Sequence, residues 1–368
     1  MTNAEEKTLF LIDAYSLIFR AYYAFINNPR VNSKGKNTSA IFGFTNSLNE
    51  ILKKENPSHI AVVFDPPGGS FRKEIYPAYK ANRDATPEDI IYAVPYIKAI
   101  IEGFQIPVIE VENFEADDTI GTLAKKAEKE GFTVYMMTPD KDYGQLVSEN
   151  IMMYKPGRKG KPVEVLGKKE ICDYYGIQRP EQVIDILALW GDSADNIPGV
   201  PGIGEKTAAK LVSQFGSVEK LLLNVNLLKG KQKENIIASR EQLKLSKHLV
   251  TIPLDVPVDL DAEKLKRRPL NRDILQKVFD ELEFKTMSSS ILGTQDTKNE
   301  PVNYEGDTTY NDAIETLTKD KFASIETVAH NYQFVKNDED IAPLVLSLSK
   351  QKEFCFDTET TGLDIHGS

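Results

Sequence analysis

Carboxylates recur in this sequence where several of its short apolar runs end. Asp13 follows TLFLI, Asp65 follows IAVVF, and Asp140 follows VYMMTP with Asp142 two residues later. Ligands of open parallel sheets sit at the carboxyl ends of the strands, so these four acids should converge. Glu115, Asp117 and Asp118 (FEADD) open a helical pattern just after another apolar run, and positions i and i+3 share a helix face. Asp192 and Asp195 sit in GDSADN after an apolar helix. One Asp after a strand is an ordinary turn residue, and one acid in a first helical turn an ordinary cap. Nine in one crevice would repel and raise each other's pKa values unless cations neutralised them. Oxygen-rich, histidine-free donors suit hard ions, Mg²⁺ or Mn²⁺. Two such ions clamping the attacking and leaving oxygens of a phosphodiester would account for the set.

Two further segments fit a phosphate-bearing polymer. Residues 70–89, SFRKEIYPAYKANRDATPED, interleave Arg72, Lys73, Lys80 and Arg83 with Phe71, Tyr76 and Tyr79. Cations there could neutralise a scissile phosphate, and rings could stack on unpaired bases. Taken alone, the segment reads equally well as a solvated loop. Residues 197–212, IPGVPGIGEKTAAKLV, place Gly199, Gly202 and Gly204 before a helix with Lys206 and Lys210 on one face. A tight turn opening into a helix offers free backbone N–H groups to a phosphate and grips a duplex without reading its sequence.

The elements that position these residues are legible in outline. Thr8–Ile12, Ile60–Phe64, Pro107–Val111, Val134–Met137 and Ile151–Tyr154 read as buried strands between helical patterns such as Ala40–Lys54 and Asp118–Glu130. That alternation specifies a mainly parallel sheet flanked by helices. From about 167 to 287 helical patterns dominate, and Ser288–Pro301 reads as a linker. A second α/β pattern follows: Tyr332–Val335, a helix over Asp338–Ser349, and the strand Glu353–Phe356.

Length and composition bound the alternatives. The chain has 368 residues, 41% hydrophobic and 27% charged, which suits two or three soluble domains. No run approaches a membrane span, and MTNAEEKTLF lacks the layout of a signal peptide. Two cysteines, Cys172 and Cys355, cannot build a disulfide framework, so a reducing cytoplasm is expected. Four histidines argue against a Cys/His zinc site or a Ser-His-Asp hydrolase. The net charge of −10 resides mostly in residues 291–368, with 15 acids against 6 bases. Residues 1–290 hold 40 acids and 39 bases, and without the nine clustered carboxylates they carry a surplus of 8 positive charges.

The motifs LIDAYSLIFRAYYAF, VVFDPPGGSFRKEIYPAYKANR, FEADDTIGTLA, TPDKDYGQLV and GDSADNIPGVPGIGEKTAAKLV together resemble the 5′-nuclease (flap endonuclease) family over roughly residues 7–287. The resemblance implies a PIN-like core over residues 1–196 with a helical arch at about 70–90. It also implies a helix–hairpin–helix subdomain over 197–287, a linker over 288–329 and an incomplete second domain over 330–368. Asp13, Asp65, Glu115, Asp117, Asp118, Asp140, Asp142, Asp192 and Asp195 are then metal ligands, some through water. Lys80 and Arg83 are the catalytic cations of the arch. Arg72, Lys73, Tyr76, Tyr79 and the hairpin residues Gly199, Gly202, Gly204, Lys206 and Lys210 contact DNA, with a K⁺ ion at the hairpin. Ala14 and Ala194 stand where the family commonly has Gly and Ser, and neither removes a carboxylate.

The tail FCFDTETTGLD resembles the first motif of the DnaQ-like 3′→5′ exonucleases, in which Asp357 and Glu359 would bind metal. The other acidic motifs of that fold do not follow, so residues 330–368 are expected neither to proofread nor to fold fully. The expected substrate is duplex DNA with an unpaired 5′ end, cut by a monomeric enzyme without an organic cofactor. Two alternatives use the same residues differently: a non-catalytic DNA-binding module, and a Mg²⁺-dependent phosphatase for a small substrate.

Overall fold

The computed structural model describes residues 7–157, 162–293 and 338–350. It divides into a unit ending at Pro301 and a second one beginning at Val302.

The first unit is built on six strands: β1 (Thr8–Asp13), β2 (His59–Val63), β3 (Val108–Ile109), β4 (Thr133–Met137), β5 (Ile151–Lys155) and β6 (Glu164–Leu166). Their order in the sheet is β3-β2-β1-β4-β5-β6. The first five are parallel, and β6 runs antiparallel to β5. The chain moves outward from β1 in both directions, which makes the carboxyl end of β1 the switch point where a crevice forms. Register brings the strand ends level, with Asp13 opposite Val63 and Ile12 opposite Met137.

Helices cover both faces, as buried parallel strands require. They are α1 (Ala14–Ala24), α2 (Ser39–Lys54), α3 (Phe71–Ile75), α4 (Glu88–Gly103), α5 (Ala116–Lys129), α6 (Lys168–Tyr175), α7 (Val183–Trp190) and α8 (Glu205–Phe215). Then come α9 (Val218–Leu223), α10 (Gly230–Ala238), α11 (Arg240–Val250), α12 (Ala262–Leu265), α13 (Arg272–Leu282) and α14 (Lys285–Leu292). Along β1, Leu9 and Leu11 face a core shared with α5, α7, α8 and α11. Phe10 and Ile12 face the other core, under α1, α2, α4, α13 and α14. This period-2 division is why the strand must be apolar throughout.

Four expectations change in detail. The strand over Pro107–Val111 shrinks to Val108–Ile109 at the sheet edge. The short antiparallel β6 has no counterpart in the sequence reading. The expected helical arch over 70–90 is a five-residue helix, α3, followed by turns as far as Arg83 and an irregular stretch before α4. The linker begins later than Ser288, because α14 runs to Leu292 and buries Met287 and Leu292 against the second core. In the second unit a helix spans Asp338–Leu348. Tyr332–Val335, Glu353–Phe356, Asp357 and Glu359 lie outside the described residues. Among the described residues no helix is long and apolar enough to cross a membrane.

Candidate active site

The carboxylates hang from the carboxyl edge of the sheet and are fixed by the local chain. Asp13 ends β1 and caps α1, accepting from Ser16 N at 3.0 Å and Ser16 Oγ at 2.7 Å. Thr138 Oγ1 and Tyr143 Oη each lie 3.4 Å from its Oδ2. Asp65, just past β2, accepts from Ala116 N at 2.7 Å, which ties that strand end to the start of α5. Glu115 is the N-cap of α5, with Asp117 and Asp118 in its first turn, where the helix dipole favours negative charge. Ligand oxygens of these three come within 4.8 Å of one another. Asp140 accepts from Asp142 N at 3.1 Å, opening a 3₁₀ turn over Lys141–Leu146. Asp192 and Asp195 occupy a loop closed by paired backbone bonds between Asp192 and Ile197 at 2.9 and 2.7 Å.

Side chains knit the separate acids into one crevice. Lys80 Nζ lies 2.7 Å from Glu115 Oε1 and 3.6 Å from Asp195 Oδ2. Tyr79 Oη lies 2.8 Å from Glu115 Oε2 and 3.1 Å from Asp195 Oδ2, within donating distance of either. Arg83 pairs with Asp195 from a half-exposed position. Lys141 bridges Asp192 and Asp142, and its ammonium also faces the Trp190 ring at 5.3 Å. Lys80 holds a left-handed backbone, φ 54°, a strained conformation for a residue with a side chain. The segment is clamped there by Lys80 N to Asp195 O at 2.9 Å and Asn196 Nδ2 to Ala78 O at 2.7 Å.

The basic segment divides in a way its sequence conceals. Lys73 is exposed and Tyr76 half-buried, but Tyr79 is 2% and Arg72 only 1% exposed. The Arg72 guanidinium turns inward to Asp118 at 2.7 and 2.8 Å, which corrects its expected role as a DNA contact. The buried Tyr79 ring is likewise closed to stacking on a base. Asp118 has about four lone-pair sites and uses three, two for Arg72 and one for Glu115 N. Lys141, Tyr143, Ser16 and Thr138 are site residues that the sequence reading does not single out. Only Lys141 carries a usable signal, lying between two of the acids.

Electrostatics divide the acids into two kinds. Burial pushes the Asp13 carboxyl up to about 6, and Asp65 adds to the shift. Burial and Asp140 push Asp142 up to about 8. Burial also raises Asp117, with repulsion from Asp118 adding to it. Glu115 and Asp195 go the other way. Burial raises both, but Lys80 with Arg72 outweighs it at Glu115, and Lys80 with Arg83 at Asp195. Asp142 Oδ1 is buried with no hydrogen-bond partner, its nearest cation being the Lys141 ammonium at 3.5 Å. A buried carboxylate oxygen without a hydrogen-bond donor, beside acids raised by burial and repulsion, fits a cation-binding donor set. The residues present therefore fit hard divalent ions.

The glycine hairpin has its own logic. A Cβ at Gly199 would meet the Trp190 carbonyl oxygen at 2.0 Å, so this glycine serves close packing of the turn against the end of α7. Gly202 has φ +78°, and a Cβ at Gly204 would meet nothing. Gly202, Gly204, Lys206 and Lys210 are exposed around the start of α8.

A parallel sheet whose switch point gathers carboxylates, with lysine and arginine reaching in from a flanking segment, is an architecture suited to metal-assisted chemistry at a phosphate. The comparisons with known proteins agree. The chain belongs to the 5′-3′ exonuclease family: its N-terminal resolvase-like domain matches residues 8–176, and its C-terminal SAM fold matches residues 178–273. The chain is 38% identical over 330 residues to DNA polymerase I of Bacillus caldotenax, covering 89% of this chain and 37% of that protein. It is 32% identical over 364 residues to DNA polymerase I of Borreliella burgdorferi, covering 98% of this chain and 39% of that one. The chain thus spans little more than a third of the length of these curated relatives. Among solved structures, the T5 5′-exonuclease with bound zinc shares the fold at TM-score 0.57 and 22% identity, over 75% of this chain and 98% of its own. The T5 flap endonuclease in a pseudo-enzyme-product complex with DNA and metal ions gives TM-score 0.56 at 22% identity, over 77% and 98% of the two chains. The catalytic core of Rad2 with DNA substrate gives 0.53 at 18% identity, over 78% and 92%.

Proposed function

We propose that this chain is a divalent-metal-dependent, structure-selective 5′ nuclease that hydrolyses DNA beside an unpaired 5′ end. It would work as a monomer in the cytoplasm, during replication and repair, as part of a DNA polymerase I. The observation that carries this reading is the single crevice in which Lys80 and Arg83 meet the carboxylates of separate chain segments. The metal-bound and DNA-bound states named for the structural neighbours support it.

Asp13, Asp65, Glu115, Asp117, Asp140, Asp142, Asp192 and Asp195 would hold Mg²⁺ or Mn²⁺, with Asp118 acting in part through Glu115. Such ions lower the pKa of water and stabilise charge on attacking and leaving oxygens. The protein's own groups do the rest. Lys80 and Arg83 leave their carboxylate partners for the scissile phosphate and stabilise its growing charge. Lys73 and the exposed hairpin, with Lys206, Lys210 and a K⁺ ion, would hold duplex backbone, so that selection is by shape rather than sequence. The two runner-up readings make different use of the crevice. A binding module would leave a 5′-flap DNA intact, and a phosphatase would prefer a small phosphomonoester. Incubating the protein with each substrate, with Mg²⁺ and with chelator, separates them. Mg²⁺-dependent cutting of the flap alone is the expected result, and an intact flap with Mg²⁺ present defeats the nuclease reading.

A further inference from the structure

Arg72 uses every donor it has. Nε donates to Leu249 O at 2.9 Å. Nη1 donates to Glu115 Oε2 at 3.2 Å and Asp118 Oδ2 at 2.8 Å, and Nη2 to Asp118 Oδ1 at 2.7 Å and Thr251 O at 3.3 Å. A guanidinium has five N–H groups, so none remains for a phosphate. Leu249 and Thr251 belong to the last turn and C-cap of α11. Carbonyls there lack intrahelical partners and sit at the negative end of the helix dipole, so a buried cation is well placed against them.

The other side of the crevice is tied to the same helix end. Gln145 Nε2 donates to Asp142 O at 3.0 Å and to Val250 O at 2.9 Å, while its Oε1 accepts from Ile252 N at 2.9 Å. Gln145 is 5% exposed, and both ends of its amide are engaged between the Asp142 turn and α11. Toward its other end, α11 holds the glycine hairpin. Gln242 Nε2 donates to Gly199 O and Ser246 Oγ to Pro198 O, both at 2.7 Å.

We infer that Arg72 and Gln145 are positioning residues that fasten the two sides of the carboxylate crevice to the C-terminal end of α11, whose other end carries the hairpin. Each hydrogen bond in that chain is local, but together they make one strut from the turn that would grip duplex to the acids that would hold metal. Arg72 thereby acts through Glu115 and Asp118, and Gln145 through Asp142. Neither touches the substrate. The inference rests on the metal-dependent nuclease reading above.

The test uses the full chain, with Arg72→Lys and Gln145→Ala compared with wild type. Arg72→Lys keeps the charge but cannot make the forked set of bonds. Mn²⁺ affinity is measured by electron paramagnetic resonance, flap-DNA affinity in chelator across a salt series, and kcat and KM on the flap substrate. Loss of a residue that orients ligands typically costs about 10–100-fold in metal affinity or activity. The expected result is Mn²⁺ binding weakened by about tenfold or more and kcat reduced, with metal-free DNA affinity within about twofold of wild type and an unchanged salt slope. Unchanged Mn²⁺ affinity overturns the inference. So does weakened DNA binding with the salt slope reduced by about one, the signature of a lost phosphate contact. Should Arg72→Lys fail to fold, Gln145→Ala decides by the same criteria. Wild-type protein that neither binds Mn²⁺ nor cuts the flap would instead defeat the nuclease reading itself.

Discussion

The two sides of the crevice solve the same electrostatic problem differently. Around Glu115, Asp118 and Asp195 the chain supplies its own cations: buried Arg72, nearly buried Lys80, and Arg83. Around Asp13 and Asp142 it supplies mainly hydroxyls, backbone N–H groups and one lysine, Lys141. The first side holds Glu115 and Asp195 below their ordinary pKa, though burial keeps Asp117 and Asp118 raised, and the second pushes Asp13 and Asp142 up to about 6 and about 8. The difference teaches where outside charge is needed. Among the described residues, Asp142 has only the Lys141 ammonium at 3.5 Å and no hydrogen-bond donor to its Oδ1, so this side is where an outside cation would relieve the most repulsion.

The largest expected effects come from removing one charge on each side. Asp142→Asn should cut flap cleavage by about 10³-fold or more, since it removes a ligand as well as charge stabilisation. The same change should raise the melting temperature of the metal-free protein at pH 8, because it deletes a charge that burial penalises. Glu115→Gln should also abolish cleavage, but with the opposite effect on the metal-free fold. It removes a buried partner from Arg72 and Lys80, which keep Asp118 and Asp195, so the metal-free protein should lose melting temperature. Calorimetry of both variants in chelator checks the pair. If both destabilise the metal-free protein alike, the two sides are not distinct.

A smaller effect separates the two arch cations. Lys80 is 18% exposed at its side chain and pairs with both Glu115 and Asp195, whereas Arg83 is 54% exposed, pairs with Asp195 alone among the described acids and donates to the Ala194 carbonyl at 3.4 Å. Lys80→Met should lower single-turnover cleavage by about 10²–10³-fold, as loss of one preorganised charge-stabilising donor does. Arg83→Met should cost about tenfold, since an exposed charge acts through water. Equal losses would mean that burial at Lys80 adds nothing to its action on the phosphate.

How much of this was legible in the sequence follows from what each residue touches. β1, β2, β4 and β5 were legible because strands buried on both faces must be unbroken apolar runs. The acids that follow β1, β2 and β4 stood out against those runs. β6 was not, being three residues long with Val165 well exposed, and neither was α14, whose SSS run reads as a linker until Met287 and Leu292 are seen to be buried. Within the site, acids were legible by position, but the partners of the cations were not. Arg72 and Lys80 stand eight residues apart in one basic segment, with Arg83 three further on. The acceptors that draw Arg72 inward include backbone carbonyls of Leu249 and Thr251, which no side-chain pattern can announce. A buried guanidinium and a surface one are the same letter.

The mildest test of the comparison is the pH dependence of the metal-free fold. Asp13 and Asp142 are raised from an ordinary value of 3.8 to about 6 and about 8. The unfolded chain loses those protons first as pH rises, so their contribution is complete below about pH 4, declines above it, and is gone beyond about pH 8. Glu115 and Asp195 are held below their ordinary values of 4.5 and 3.8, so their contribution is already complete above those values and is lost only on acidification through their folded values. The metal-free protein should therefore be most stable on the mildly acidic side and lose melting temperature between about pH 5 and pH 8. Mg²⁺ should reverse that slope, because ion binding displaces the protons on Asp13 and Asp142 and stabilises the folded state by mass action. Scanning calorimetry at about pH 5, 6.5 and 8, in chelator and in Mg²⁺ at constant ionic strength, reads both trends. A gain from Mg²⁺ that is no larger at about pH 8 than at about pH 5 would mean that the hydroxyl-lined side is already neutralised from within, and the contrast between the two sides would disappear.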